Sequence, residues 1–117
     1  MKGNITVLFT SWAHNESGNQ CFYSDGPYLS TEGAAYLAKN EVNAVAVDFP
    51  IDKHPDTPLS TIKDFPVHRL LLGRNIPLIE NLINLDKLVG KDFELWALPL
   101  KLQGGDGAAT RAVARIL

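Results

Sequence analysis

Two short apolar runs bracket a helix-forming segment in the first half of this chain, and that pattern restricts the fold more than any other feature. Ile5 to Thr10 (ITVLFT) is β-branched, aromatic and nearly all apolar, which predicts a strand buried on both faces. Asn43 to Asp48 (NAVAVD) predicts a second buried strand. Between them Ser30 or Thr31 can accept from the orphan N–H groups of a first helical turn, and Glu32 suits its positive end. Ala34, Ala35, Leu37 and Ala38 supply a small-residue face for close packing on a sheet, and Lys39 and Asn40 mark the helix end. Strand, helix and strand in this order predict a parallel βαβ unit with a right-handed crossover. Trp12 to Tyr28, dense in Asn, Gly, Ser and Pro, reads as a surface loop. Its aromatics Trp12, Phe22, Tyr23 and Tyr28 are expected to cover the core, or else a binding mouth.

Order resumes over Leu59 to Gly73. Pro66 suits the first position of a helix, because the N–H it lacks would be an orphan there, and Val67, Leu70 and Leu71 share a face that Gly73 ends. Pro77 to Glu80 follows as a short strand, and Asn84 to Leu88 as a turn of helix ending at Gly90. Phe93 to Leu102 (FELWALPLKL) is a long strand that Pro99 places at an edge or a bulge. Ala108 to Leu117 has helix propensity. Gly104-Gly105-Asp106-Gly107 is hairpin chemistry, however, and Ala112 to Ile116 is expected to pair back as its second strand. The fold class is α/β with a mixed sheet, in a single domain over residues 1–117.

Charge and cysteine content narrow the function classes. A net charge of −2 gives no electrostatic footprint for a nucleic acid or an anionic membrane, so neither partner is expected. Cys21 is the lone cysteine, which rules out an intrachain disulfide and Cys-rich zinc modules and points to the cytoplasm. Met1 to Leu8 holds only a brief apolar run after Lys2, so no export leader is read there, and no apolar stretch is long enough to span a bilayer. The sequons at Asn4 and Asn15 are set aside as chance triplets.

Candidate site residues follow from the expected topology. Ligands of a parallel sheet gather at the carboxyl ends of its strands, which gives Asp48 and the segment through Asp52, Lys53 and His54 a functional location. Asp48 can equally close a turn, and His54 in its Pro-rich loop reads as a solvated histidine. The stronger pair is His68, opening a helix, and Glu80, twelve positions on at the end of a strand, since imidazole and carboxylate can converge on one metal ion. The alternative is a helix-start histidine bonded to backbone and a glutamate paired with Arg69 or Arg74.

The runs HRLLLGRNIPLIENLINLDKL and FELWALPLKLQGGDGAATRAVA, preceded by VLFTSW and NAVAVDFPID, resemble the C-terminal half of the cyclase family of metal-dependent hydrolases, which includes the bacterial kynurenine formamidases. The resemblance implies a swivelling β/β/α-type domain, incomplete relative to the full family fold. It also implies a binuclear zinc or manganese site that hydrolyses an amide, with N-formylkynurenine as the type substrate. It makes His68 and Glu80 ligands of one ion, and the paired ions would activate a water and polarise the carbonyl under attack.

The family's first half carries a motif H-x-G-T-H-x-D-x-P-x-H that supplies the other ligands, and this chain has no such motif; His14, His54 and His68 are its histidines. A catalytic zinc takes three protein ligands plus water, and Asp48, Asp52 or Asp106 are the candidates within this chain for a third, although nothing in their spacing singles one out. Three readings stand: a detached half of a hydrolase, one subunit of a split enzyme, and a non-catalytic interaction or assembly module. In each, strand edges left without neighbours favour a homo-oligomer or a partner chain that completes the sheet.

Overall fold

The structure is a computed structural model that describes residues 2–56, 61 and 63–117. The start of renewed order expected at Leu59 lies outside the described residues. Where the sequence reads as one domain, the contacts gather into two compact units, Met1–Asp86 and Lys87–Leu117.

The first unit is a run of alternating strands and helices. Strand β1 (Ile5–Leu8) is followed by the short helix α1 (Trp12–Glu16), helix α2 (Thr31–Lys39) and strand β2 (Ala44–Val47). Helix α3 (Pro66–Leu72) and strand β3 (Leu78–Ile79) complete the series. The sheet order is β1-β2-β3, all parallel, with Ile5 opposite Ala44, Leu8 opposite Val47, and Val45 opposite Leu78. The expected βαβ unit is present and is extended by a second helix and strand.

Central strand β2 is buried throughout, as an unbroken Ala-Val-Ala-Val run requires. Val45 and Val47 join Ala34 and Leu37 of α2 and Val67 and Leu71 of α3 in the hydrophobic core. Strand β1 is half-buried instead of buried on both faces; among the described residues it is an edge strand, paired only to β2. Ser30 caps α2 by accepting from the Gly33 N–H at 3.0 Å, as its hydroxyl predicts.

The segment read as loop from Trp12 contains α1, and its aromatics divide. Phe22 is buried and Trp12 packs against the core, with its indole Nε1–H donating to the Phe22 carbonyl at 3.0 Å, whereas Tyr23 and Tyr28 are exposed.

The second unit is a hairpin. Strands β4 (Phe93–Pro99) and β5 (Thr110–Ile116) pair antiparallel, with Trp96 opposite Val113 and Pro99 opposite Thr110. β5 is thus strand and not helix, and Gly104 has φ +73, which the turn between the strands assigns to glycine. The mixed sheet expected from the sequence is realised as two sheets, one parallel and three-stranded, one antiparallel and two-stranded. Glu94 and Arg115 pair across the hairpin at 2.7 Å, and the Arg115 guanidinium lies 5.7 Å from the centroid of the Trp96 ring.

Among the described residues no helix is long and apolar enough to cross a membrane.

Candidate metal centre

The carboxyl ends of the first unit's three strands are tied together by side chains. After β1, the Thr10 N–H and hydroxyl both donate to Asp48 Oδ1, at 2.9 and 2.8 Å, just past the end of β2. After β3, Glu80 Oε1 accepts the Ile51 N–H at 2.7 Å. The β2 loop therefore holds its neighbours on both sides, and it is this loop that delivers the next carboxylate.

Helix α3 begins at Pro66 behind Phe65, whose side chain cannot cap it. The orphan N–H groups are satisfied from the β2 loop: Asp52 Oδ1 accepts from Val67 N and Oδ2 from His68 N, each at 2.9 Å. That places the His68 ring between two carboxylates. Nδ1 lies 2.6 Å from Asp52 Oδ2 and Nε2 lies 3.2 Å from Glu80 Oε2. Phe65 meets the imidazole edge to face, with centroids 6.0 Å apart.

Asp52 is almost sealed from solvent at 3% side-chain exposure, while His68 and Glu80 keep 33% and 26%. An ion could reach the latter two. The imidazole pKa is raised to about 9, first by the hydrogen bond to Glu80, against the opposing effect of burial and with further support from Asp52. The two carboxylates beside the ring favour its protonated form.

His68 and Glu80, named from the sequence as a ligand pair, are thus brought together. Arg69 and Arg74 are not Glu80's partners; Arg74 donates to the Leu70 carbonyl. Asp52 is in the cluster, but both its oxygens face α3. Asp48 is buried and engages Thr10 through Oδ1, while its Oδ2 has no hydrogen-bond partner among the described residues. His14 and His54 are exposed, as is Asp106 in the hairpin unit.

The donor set fits one edge of a zinc or manganese centre. With bonds of about 2.0–2.2 Å, two ligands of one tetrahedral ion stand about 3.3–3.5 Å apart, close to the 3.2 Å between Nε2 and Oε2. Two donors are short of a site, and no group of three or more His, Cys, Asp or Glu side chains arranged to hold a metal occurs among the described residues.

The part played by Asp52 was missed in the sequence, where it stood only as a spare ligand. One signal pointed to it: a helix that opens with Pro66 behind Phe65 has no local cap and must borrow one.

No family model matches the chain. It is 37% identical over 116 residues to the kynurenine formamidase of Bacillus mycoides (strain KBAB4), covering 98% of this chain and 51% of that protein. The kynurenine formamidase of Bacillus cytotoxicus is likewise 37% identical, over 118 residues, with 100% and 52% covered. Among solved structures, an isatin hydrolase bound to the product analogue thioisatinate aligns with a TM-score of 0.78 at 27% identity, over 100% of this chain and 47% of that one. A potential metal-dependent hydrolase with cyclase activity aligns at 0.74 with 22% identity, over 96% and 50%. The chain spans about half the length of the curated relatives it matches. In sequence and in fold it is kin to about half of a cyclase-family metal-dependent hydrolase.

Proposed function

From this kinship we infer that the chain carries one part of the centre of a metal-dependent amide hydrolase of arylformamidase type, with N-formylkynurenine to kynurenine as the type reaction. His68 through Nε2 and Glu80 through Oε2 are its ligands to one zinc or manganese ion. The observation that carries the reading is the 3.2 Å approach of these two atoms, each on a side chain whose other polar atom is tied back into the protein. When bound, such an ion would supply Lewis acidity for activating water and polarising the scissile carbonyl.

The chain's own residues hold that arrangement in place. The Ile51 N–H fixes one oxygen of Glu80 and so aims the other. Asp52 fixes the imidazole, and Phe65 covers one side of it. In the hydrolysis the amide C–N bond breaks, the water oxygen joins the acyl carbon, and the leaving amine takes a proton. The proton donor and the remaining ligands belong to the portion of the family fold that these residues do not span, whether further polypeptide or a partner chain.

The same reading makes the protein cytoplasmic, in keeping with its exposed free Cys21, and a homo-oligomer or a subunit with a partner chain, in keeping with a hairpin whose outer edges meet no third strand among the described residues. A second substrate of the same class, a cyclic amide, is favoured by the likeness to isatin hydrolase. A catalytically silent assembly module is the alternative, since the H-x-G-T-H-x-D-x-P-x-H motif does not occur in this sequence.

The test is an assay of kynurenine release from N-formylkynurenine and of isatin opening, with Zn²⁺ or Mn²⁺ added. The chain is assayed alone and with the half of the Bacillus mycoides enzyme that it does not match. Turnover that disappears in His68→Ala and Glu80→Ala supports the hydrolase reading. Turnover of neither substrate in any combination contradicts it and favours the silent module.

A further inference from the structure

Three donors converge on one sealed carboxylate. Asp52 Oδ1 takes the Val67 N–H, and Oδ2 takes the His68 N–H while lying 2.6 Å from His68 Nδ1. A carboxylate that accepts two backbone N–H groups has only lone pairs to offer a ring nitrogen, so the short contact places a proton on Nδ1. On the far side of the ring, Glu80 cannot turn away from Nε2, because its Oε1 is held by Ile51. In the neutral ring the Nε2 lone pair therefore faces a carboxylate oxygen, an arrangement that a cation completes.

We propose that Asp52 is a positioning residue: it selects the Nδ1–H form of His68 and so keeps Nε2 as the electron-pair donor directed toward Glu80. This is a separate task from capping α3, although one side chain performs both, and it differs from the third-ligand role considered for Asp52 in the sequence. Both oxygens are spent on α3, so Asp52 acts on the centre through His68. The consequence for metal binding rests on His68 and Glu80 being ligands; the form of the ring does not.

Asn at position 52 separates the two tasks. Its amide oxygen can still accept a backbone N–H of α3, but its NH₂ group donates to Nδ1 and drives the ring proton to Nε2. A residue that only capped the helix would lose one backbone acceptor on this change and leave the form of the ring as it was. Long-range ¹⁵N spectra of the metal-free full-length chain, recorded at alkaline pH where imidazoles are neutral, read the form of each ring directly. Exposed His14 and His54 serve as internal references.

The expected result is Nδ1–H for His68 in the wild type and Nε2–H in Asp52→Asn. Zn²⁺ affinity is then expected to fall about ten- to a hundredfold with the far-UV spectrum preserved. Wild-type His68 in the Nε2–H form, or an unchanged ring form in Asp52→Asn, overturns the proposal. Should the variant not fold, the wild-type spectrum still decides. An Nδ1–H ring in a wild type that binds no Zn²⁺, alone or with the complementary half, upholds the positioning role and removes the metal reading.

Discussion

Ile51 donates its backbone N–H to Glu80 Oε1 at 2.7 Å, which fastens the loop after β2 to the residue after β3. Ile51 itself is fully buried, and its N–H loses its acceptor when Glu80 is truncated. At a pH above about 9, where His68 holds no extra proton for Glu80 to stabilise, Glu80→Ala should destabilise the metal-free chain by about 1–3 kcal/mol through loss of the Ile51 acceptor, whereas Glu80→Gln keeps the acceptor and should lose less than about 1 kcal/mol. Urea unfolding of the two variants beside the wild type measures the difference.

The raised pKa of His68 makes stability depend on pH. The ring titrates near 6.5 when unfolded and near 9 when folded, chiefly through its hydrogen bond to Glu80. Between those values the folded state binds the extra proton. The contribution is therefore complete below about 6.5, declines as pH rises and is gone above about 9. Unfolding midpoints of the metal-free chain should fall over that interval, and His68→Gln should remove this part of the slope. A metal ion displaces the same proton, so Zn²⁺ affinity should rise with pH over the same range.

Helix α3 holds His68 only as firmly as it is packed. Leu71 is fully buried on the core face and Leu72, one residue on, is 47% exposed. Leu71→Ala should cost about 2–5 kcal/mol, the range for deleting a buried leucine, while Leu72→Ala should stay within about 0.5 kcal/mol. Thermal unfolding followed by circular dichroism gives the comparison.

Gly26 leaves room for the Trp12 indole. A Cβ there would meet Trp12 Nε1 at 2.8 Å and the Phe22 carbonyl oxygen at 3.1 Å, the two ends of one hydrogen bond. Gly26→Ala should displace the ring and destabilise the chain by about 1–3 kcal/mol. A change in tryptophan emission that is absent when the substitution is made in a Trp12→Phe background ties the effect to this contact.

The parts of the fold that could be read in advance are those set by local pattern. The Ala44–Val47 run is apolar on both faces and so could only be a central strand, and Ser30 announced the start of α2 through its hydroxyl. Gly104 to Gly107 settled β5 as strand by demanding a turn before it. What could not be read depends on neighbours in space. β1 resembles β2 in composition but lies at the sheet's edge and is only half-buried. In the site, the His68 and Glu80 pair was legible from residue type and spacing. Asp52 was not, because its partners Val67 and His68 lie 15 and 16 positions along the chain and only the fold brings them together.

Metal content per chain tests the central claim most directly. It is measured after dialysis against metal-free buffer on this chain combined with the complementary half of the Bacillus mycoides enzyme. Near-stoichiometric zinc or manganese is expected in the wild type, with its loss in both His68→Ala and Glu80→Ala. No retained metal in the wild-type assembly, or equal retention in the two variants, would contradict the assignment of His68 and Glu80 as ligands.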